Sequence, residues 1–299
     1  MQNRREFLKI SAAGSLSMML LGAAGCASGV GKSKKNYGVG IQLYTIRDAM
    51  SADILGTLKK VSDIGYKNLE LAGYSNGKFY GYSPAEFKKI IADLGMAAIS
   101  SHTQVESASI SLDQAKLMAD AHAQLGVKYC IKPWVEEVDR NLEQYKKMVG
   151  DCNEVGKITK SVGIQYGYHN HNFEFATLDG VVPFYDILMP GFDADLVTIE
   201  LDLFWASKAG QDPVEMFKKY PGRFQLSHIK DMRTKQEPFY EVKKDDMISA
   251  GSGVIDFKTI LASSEIGGLK YAFIEDDNQN NGKPFEGIES AFKNVTEKL

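Results

Sequence analysis

Four short stretches carry side chains able to hold a metal ion and move protons: Tyr168-His169-Asn170-His171, Glu200-Leu201-Asp202, Ser227-His228-Ile229-Lys230-Asp231 and Ile274-Glu275-Asp276. Each reads as the end of a β-strand, and they recur at the interval of successive strand-helix units. A catalytic divalent ion needs nitrogen and oxygen ligands on rigid elements, with a position left open for substrate. His169, Asp202, His228 and Glu275 supply two imidazoles and two carboxylates. His171 is the rival of His169 for the nitrogen position. One histidine in a strand is ordinarily a hydrogen-bonded core residue. Four ligand-type residues at the ends of consecutive strands favour a shared site instead. The expected cofactor is one divalent ion, Mn, Co, Zn or Mg, and two imidazoles tilt the choice away from Mg.

These residues need a scaffold that brings strand ends together. Apolar strand runs are predicted at 39–43, 68–71, 97–100, 128–132, 164–169, 197–202, 224–230 and 271–275. Amphipathic helical stretches fall at 52–64, 84–94, 112–125, 142–161, 183–188, 213–219, 255–261 and 285–299. Several helices open at Pro or after Ser or Asp and close at Gly, as helix boundaries do. Eight alternating units imply an α/β fold, a single-domain (β/α)8 TIM barrel over residues 37–299, whose site lies at the C-terminal ends of the strands. No Gly-x-Gly-x-x-Gly follows the first strand, so no dinucleotide fingerprint is present.

Strand alternation sorts the side chains. Thr198, Glu200 and Asp202 share one face of the sixth strand; Gln165, Gly167, His169 and His171 share one face of the fifth. Both sets are expected to point inward. The same reasoning puts Gln42, Tyr44, Glu70, His102, Lys132 and Glu275 at the catalytic mouth. In the seventh strand His228 and Lys230 share phase with Phe224 and Leu226, an apolar pair expected to fill the lower barrel. His122, in mid-helix, reads as structural or surface.

Together the markers Gly40-Ile41-Gln42-Leu43-Tyr44-Thr45-Ile46-Arg47-Asp48, Tyr168-His169-Asn170-His171-Asn172-Phe173-Glu174-Phe175, Leu201-Asp202, His228-Ile229-Lys230-Asp231 and Gly251-Ser252-Gly253-Val254-Ile255-Asp256-Phe257 resemble the xylose-isomerase-like TIM-barrel superfamily. That superfamily includes sugar-phosphate isomerases/epimerases and ketose 3-epimerases. The resemblance implies an ion held by a Glu, Asp, His, Glu set on strands five to eight. The last three positions carry over onto Asp202, His228 and Glu275. His169 stands where the epimerases have Glu, a departure that removes a carboxylate and adds an imidazole.

Such a site suits proton abstraction beside a sugar carbonyl. Candidate proton-moving residues are Glu174, His171, Lys230 and Glu70. A surface ion pair with Asp231 is the ordinary alternative for Lys230, and a loop carboxylate for Glu174. Candidate substrate contacts are Gln42, Tyr44, His102, Lys132, Trp134 and Trp205, the two tryptophans as stacking platforms or, in the ordinary alternative, packing residues. The expected function is a metal-dependent isomerase or epimerase of a neutral sugar or keto-sugar. The alternatives are a lyase or hydratase acting on 3-keto-glycosides and a non-catalytic sugar- or metal-binding lipoprotein.

The 299-residue chain has a formal net charge of -3, which gives no electrostatic basis for a nucleic-acid partner or a repair nuclease. The partner expected is a small carbohydrate. Asn3-Arg4-Arg5-Glu6-Phe7-Leu8-Lys9 resembles a twin-arginine export motif, followed by an apolar stretch too short for a comfortable membrane span. Ala23-Ala24-Gly25-Cys26 resembles a lipoprotein processing site. Residues 1–26 are therefore expected to be an export signal and 27–36 a flexible tether, leaving the protein on the periplasmic side, anchored through a lipid on Cys26. Cys130 and Cys152, on a predicted strand and a predicted helix, read as two separate buried thiols. Fatty-acid labelling of cells should mark the wild type and not Cys26→Ala; a soluble cytoplasmic protein retaining Met1 would contradict the export reading.

Overall fold

Eight strands alternate between an apolar face turned to the helices and a second face turned to a common axis. Strands with these two faces close into a barrel, which leaves no unpaired sheet edge. The computed structural model describes residues 38–103, 111–235, 237–239, 242–243 and 246–298. The strands are β1 (Gly38–Gln42), β2 (Asn68–Leu71), β3 (Ala97–His102), β4 (Tyr129–Lys132), β5 (Gln165–His169), β6 (Val197–Asp202), β7 (Leu226–Ile229) and β8 (Tyr271–Ile274). They form a closed barrel in sequence order, with β8 pairing parallel to β1. The (β/α)8 TIM barrel expected from the sequence is the observed fold. The export signal, the tether and Cys26 lie outside the described residues.

The outer layer includes α1 (Ile54–Ile64), α2 (Pro84–Asp93), α3 (Leu112–Leu125), α4 (Leu142–Ser161), α5 (Leu203–Lys208), α6 (Pro213–Lys219), α7 (Phe257–Gly267) and α8 (Pro284–Lys298). Local chemistry sets their limits. Ser83 and Glu86 form a reciprocal capping box at the start of α2, with Pro84 in its first turn. Gly126 ends α3 at φ 95°, a left-handed conformation that a side chain would strain. The predicted helix at 183–188 is a wide π-type turn, Phe184–Leu188. Helix α5, which the sequence reading missed, starts directly after β6.

Val197, Ile199 and Leu201 of β6 and Tyr166 and Tyr168 of β5 belong to the main core between strands and helices. A smaller cluster of Ile99, Tyr129, Ile131, Leu226 and Phe273 fills the barrel axis. Gly167 belongs on that axis because an added Cβ would stand 2.5 Å from Ile131 Cδ1. Each fully buried aliphatic or aromatic side chain in these clusters contributes roughly 1.5–3 kcal/mol of transfer free energy. Leu226 fills the lower barrel as expected, whereas Phe224 packs in the outer core.

Lys132 requires a correction. Tyr129 and Ile131 occupy the interior phase of β4, so Lys132 takes the other phase, with Cys130, toward the helices. Burial lowers its pKa, and Cys152 of α4 is among its neighbours. Both cysteines are free and buried, and burial pushes each thiol up to about 12. His122 is structural. Its Nδ1 donates to the Met118 carbonyl at 2.7 Å, and its Nε2 lies 2.9 Å from Thr103 Oγ1.

Candidate metal centre and active site

Barrel register places the candidate ligands side by side. Asp202 on β6 is level with His228 on β7, and His169 on β5 is level with Glu200 on β6. Asp202 has two tasks. Its Oδ1 accepts the Trp205 backbone N–H at 2.8 Å and caps α5. That bond fixes the carboxylate, and Oδ2 is buried without a hydrogen bond even though Lys230 Nζ lies 3.0 Å away. His169 Nε2 stands 3.6 Å and His228 Nδ1 4.0 Å from this same oxygen. Glu275 Oε2 is 2.7 Å from His228 Nδ1. The ligand atoms of His169, Asp202, His228 and Glu275 all lie within 4.8 Å of one another. Ligands roughly 2.0–2.2 Å from a common ion are about 3–4 Å apart, so the set matches the expected cage.

A second group, His102, His169, Glu200 and His228, meets the same distance limit. Its hydrogen bonds give it a different task. Glu200 Oε2 lies 2.7 Å from His102 Nε2 and 3.2 Å from His169 Nδ1. Glu70 Oε2 lies 2.5 Å from His228 Nε2 and accepts from Gln42 Nε2 at 2.9 Å. These contacts put the His169 proton on Nδ1 and a His228 proton on Nε2. The opposite nitrogens, His169 Nε2 and His228 Nδ1, then face Asp202 and Glu275. A buried carboxylate behind a ligating imidazole fixes its tautomer and orientation and raises its basicity. Glu70 and Glu200 are therefore supports, and His169, Asp202, His228 and Glu275 are the set that fits an ion.

The electrostatics agree with that division. Burial, with His228 beside it, holds His169 down to about 4, so the ring is neutral. Burial would also lower His228, but Glu200, Glu275 and Glu70 outweigh it and hold the ring protonated. An ion bound at Nδ1 displaces that proton. Burial opposes the charge on Glu275, yet Lys230 and His228 hold its carboxyl well below the usual range. Lys230 is held far above its ordinary value despite burial, by Asp202, Asp277 and Glu275.

A cavity of about 750 Å³ opens above this cluster. Of the candidate ligands, His169 and Glu275 line it; Asp202 and His228 are fully buried and reach it through Lys230 and Glu275. Among the candidate proton carriers, His171 and Lys230 line the cavity. His171 Nδ1 has no hydrogen-bond partner. Tyr44, His102, Trp134 and Trp205 also line it.

Four expected contacts are placed elsewhere. Lys132 faces the helices. Gln42 and Glu70 are fully buried beneath the mouth and bonded to each other, because the β1–β2 register sets them side by side. Glu174 is fully buried: its oxygens take the Tyr168 hydroxyl at 2.7 Å and the His171 N–H at 2.9 Å. It positions the His171 loop and does not face the cavity. Two residues were missed. Glu200 shares the inward phase with Asp202, a signal visible in the sequence but not followed. Asp277, from the loop after β8, lines the cavity 3.1 Å from Lys230 Nζ, and no strand period reaches it.

Comparison with known proteins follows the same outline. A family model described as xylose isomerase-like TIM barrel matches residues 58–263. The chain belongs to this family. Among curated members it is similar to inosose dehydratase of Clostridium perfringens, 30% identical over 132 residues covering 40% of this chain and 43% of that one. It is also similar to inosose dehydratase 2 of Bacillus cereus, 29% identical over 170 residues covering 52% and 55%. The chain thus spans about half the length of the curated relatives it matches. Two sugar phosphate isomerase/epimerase structures from Parabacteroides distasonis superpose with TM-scores of 0.72 and 0.70. They are 28% and 30% identical and cover 89% and 85% of this chain and 95% of each of theirs. A family fold at 17% identity, the IOLI protein, was solved with a bound zinc atom; it has a TM-score of 0.67 and covers 87% of this chain and 96% of its own.

The support roles make a graded prediction. Asp202→Asn keeps the α5 cap and should abolish stoichiometric metal binding. Glu70→Gln keeps all four ligands and should weaken metal affinity by roughly 10–100-fold by loosening His228. Elemental analysis and metal titration on folded protein check both. Full metal content in Asp202→Asn, or unchanged affinity in Glu70→Gln, would contradict the assignment.

Proposed function

We propose that the protein is a metal-dependent enzyme acting on a neutral keto-sugar. It removes the proton beside the ketone and expels the oxygen substituent on the next carbon, a carbon–oxygen lyase reaction. The observation that carries this reading is the pairing, on one cavity wall beside the ligand set, of His171 and Lys230. His171 lines the cavity with its Nδ1 buried and unpartnered, and Lys230 has an ammonium held among three carboxylates. Two titratable groups pushed to opposite protonation states mark an acid and a base. A divalent ion held by His169, Asp202, His228 and Glu275 would supply a Lewis acid for the ketone oxygen. His171 takes the α-proton. The electrons of the broken C–H bond form the new C–C double bond as the C–O bond breaks. Lys230 gives a proton to the departing oxygen and regains one through Asp277, whose carboxyl burial pushes up to about 6.

Two further observations support a neutral substrate and elimination. The Gly251-Ser252-Gly253 stretch could resemble a phosphate cradle, but Asp231 fills it. The Asp231 carboxylate accepts from the backbone N–H groups of Met232 at 2.9 Å, Gly253 at 2.7 Å and Ile255 at 3.2 Å. Those donors are taken. The curated relatives' name, inosose dehydratase, is also that of an elimination. An exported enzyme would meet neutral glycosides rather than cytoplasmic sugar phosphates. Isomerisation or epimerisation through the same proton abstraction is the second reading, favoured by the two Parabacteroides structures that match most of both chains.

Incubation of metal-loaded protein with 3-keto-glycosides and free ketoses in deuterated water distinguishes the two. Elimination should release the C1 substituent and leave an unsaturated ketone. Isomerisation should place solvent deuterium in a product with all its substituents. Lys230→Met should lower turnover by roughly a hundredfold or more with metal still bound. Neither product from the wild type across the panel would contradict both readings and favour a binding protein.

A further inference from the structure

We propose that the cavity takes a two-ring glycoside and seats its second ring against Trp134, beyond the proton-moving centre. The inference rests on the sugar-processing reading above and names what the reacting ring carries. Its basis is a continuous aromatic wall. His169, in the ligand set, meets His171 with ring centroids 4.9 Å apart. His171 meets Trp134 at 4.7 Å, nearly perpendicular, and lies parallel to Phe173 at 5.3 Å. Trp134 and Phe173 are 5.5 Å apart. The wall therefore runs two ring-to-ring steps outward from the ligands. A single sugar ring presenting its ketone to the ligand end covers the first step and leaves the second open. The cavity, about 750 Å³, is in the upper half of the roughly 300–1,000 Å³ range that accepts drug-sized ligands, larger than one sugar ring.

The outer step is braced rather than loose. The Arg140 guanidinium lies 3.7 Å from the Phe173 centroid and 4.7 Å from that of Trp134. Its Nε donates to the Val135 carbonyl at 3.1 Å. The cation lies against two ring faces and is tied to the backbone, and it lines the cavity beside the indole. The acidic residues that line the cavity, Glu275 and Asp277, are both paired with Lys230. A braced aromatic surface suits the flat face of a second ring, either the C–H face of a sugar or an aryl group.

The two tryptophans of the chain both line this cavity, so intrinsic fluorescence reports on it alone. Purified protein is titrated with glucose, cellobiose, maltose, sucrose and phenyl β-glucoside, none of which carries the ketone needed for reaction. At least one two-ring ligand should bind about tenfold or more tighter than glucose, an advantage that stacking on one indole can supply. Trp134→Ala should erase that advantage while Trp205 still reports unchanged glucose binding, and Trp134→Phe should restore most of it. The disaccharide and phenyl arms tell whether the second ring is a sugar or an aryl group. Equal affinity for glucose and every two-ring ligand, or equal weakening of both by Trp134→Ala, overturns the inference. Failure of the keto-sugar reading is separately visible: two-ring ligands would still bind, yet no keto-glycoside would be turned over.

Discussion

The contact on which the rest of the centre depends is the one between Glu70 and His228, 2.5 Å apart and both fully buried. Charged groups this deep persist only when each finds a partner. Glu70 Oε2 takes both Gln42 and His228, and it turns the His228 ring so that Nδ1 faces Glu275. Glu200 does the same for His169 and also receives His102. The inner half of the site is therefore a floor of carboxylates that sets the tautomers of the rings above it. Removing one floor carboxylate would leave an imidazole free to turn, which is why residues that never reach the cavity govern what the cavity can hold.

That floor also explains the layout of the upper site. With His169 and His228 in the candidate ligand cluster, the groups proposed to move protons lie further along the same strand exits, His171 and Lys230. Each is two residues past a ring of the cluster. Glu174 turns the chain after His171, and the Asp231 carboxylate organises the loop after Lys230 by filling its own backbone donors. Aromatic residues from the loops after β4 and β5 then extend the site away from the polar floor.

Much of this was legible in the sequence, for identifiable reasons. All eight strands and the helical layer follow from alternating apolar runs and helix-boundary residues, since burial enforces those periods. The inward phase of β5 and β6 was readable because one face is polar and the other apolar. In β4 that contrast is missing: Tyr129, Cys130, Ile131 and Lys132 place apolar residues on both faces, and Lys132 was assigned to the wrong side. Depth was less legible than direction. Gln42 and Glu70 point inward as expected, but stagger between strands places them below the mouth. Glu174 and Asp277 lie in loops, where no periodicity applies. The α5 helix was hidden because its cap, Asp202, reads first as a ligand.

The central claim is that an ion belongs to the upper set, with Glu70 and Glu200 supporting it from below. Crystals of Mn²⁺-loaded protein, with an anomalous difference map, test it most directly. The account predicts one peak within bonding distance of His169 Nε2, Asp202 Oδ2, His228 Nδ1 and Glu275. A peak bonded instead to His102 and Glu200, or no peak from protein that binds Mn²⁺ in solution, would contradict it.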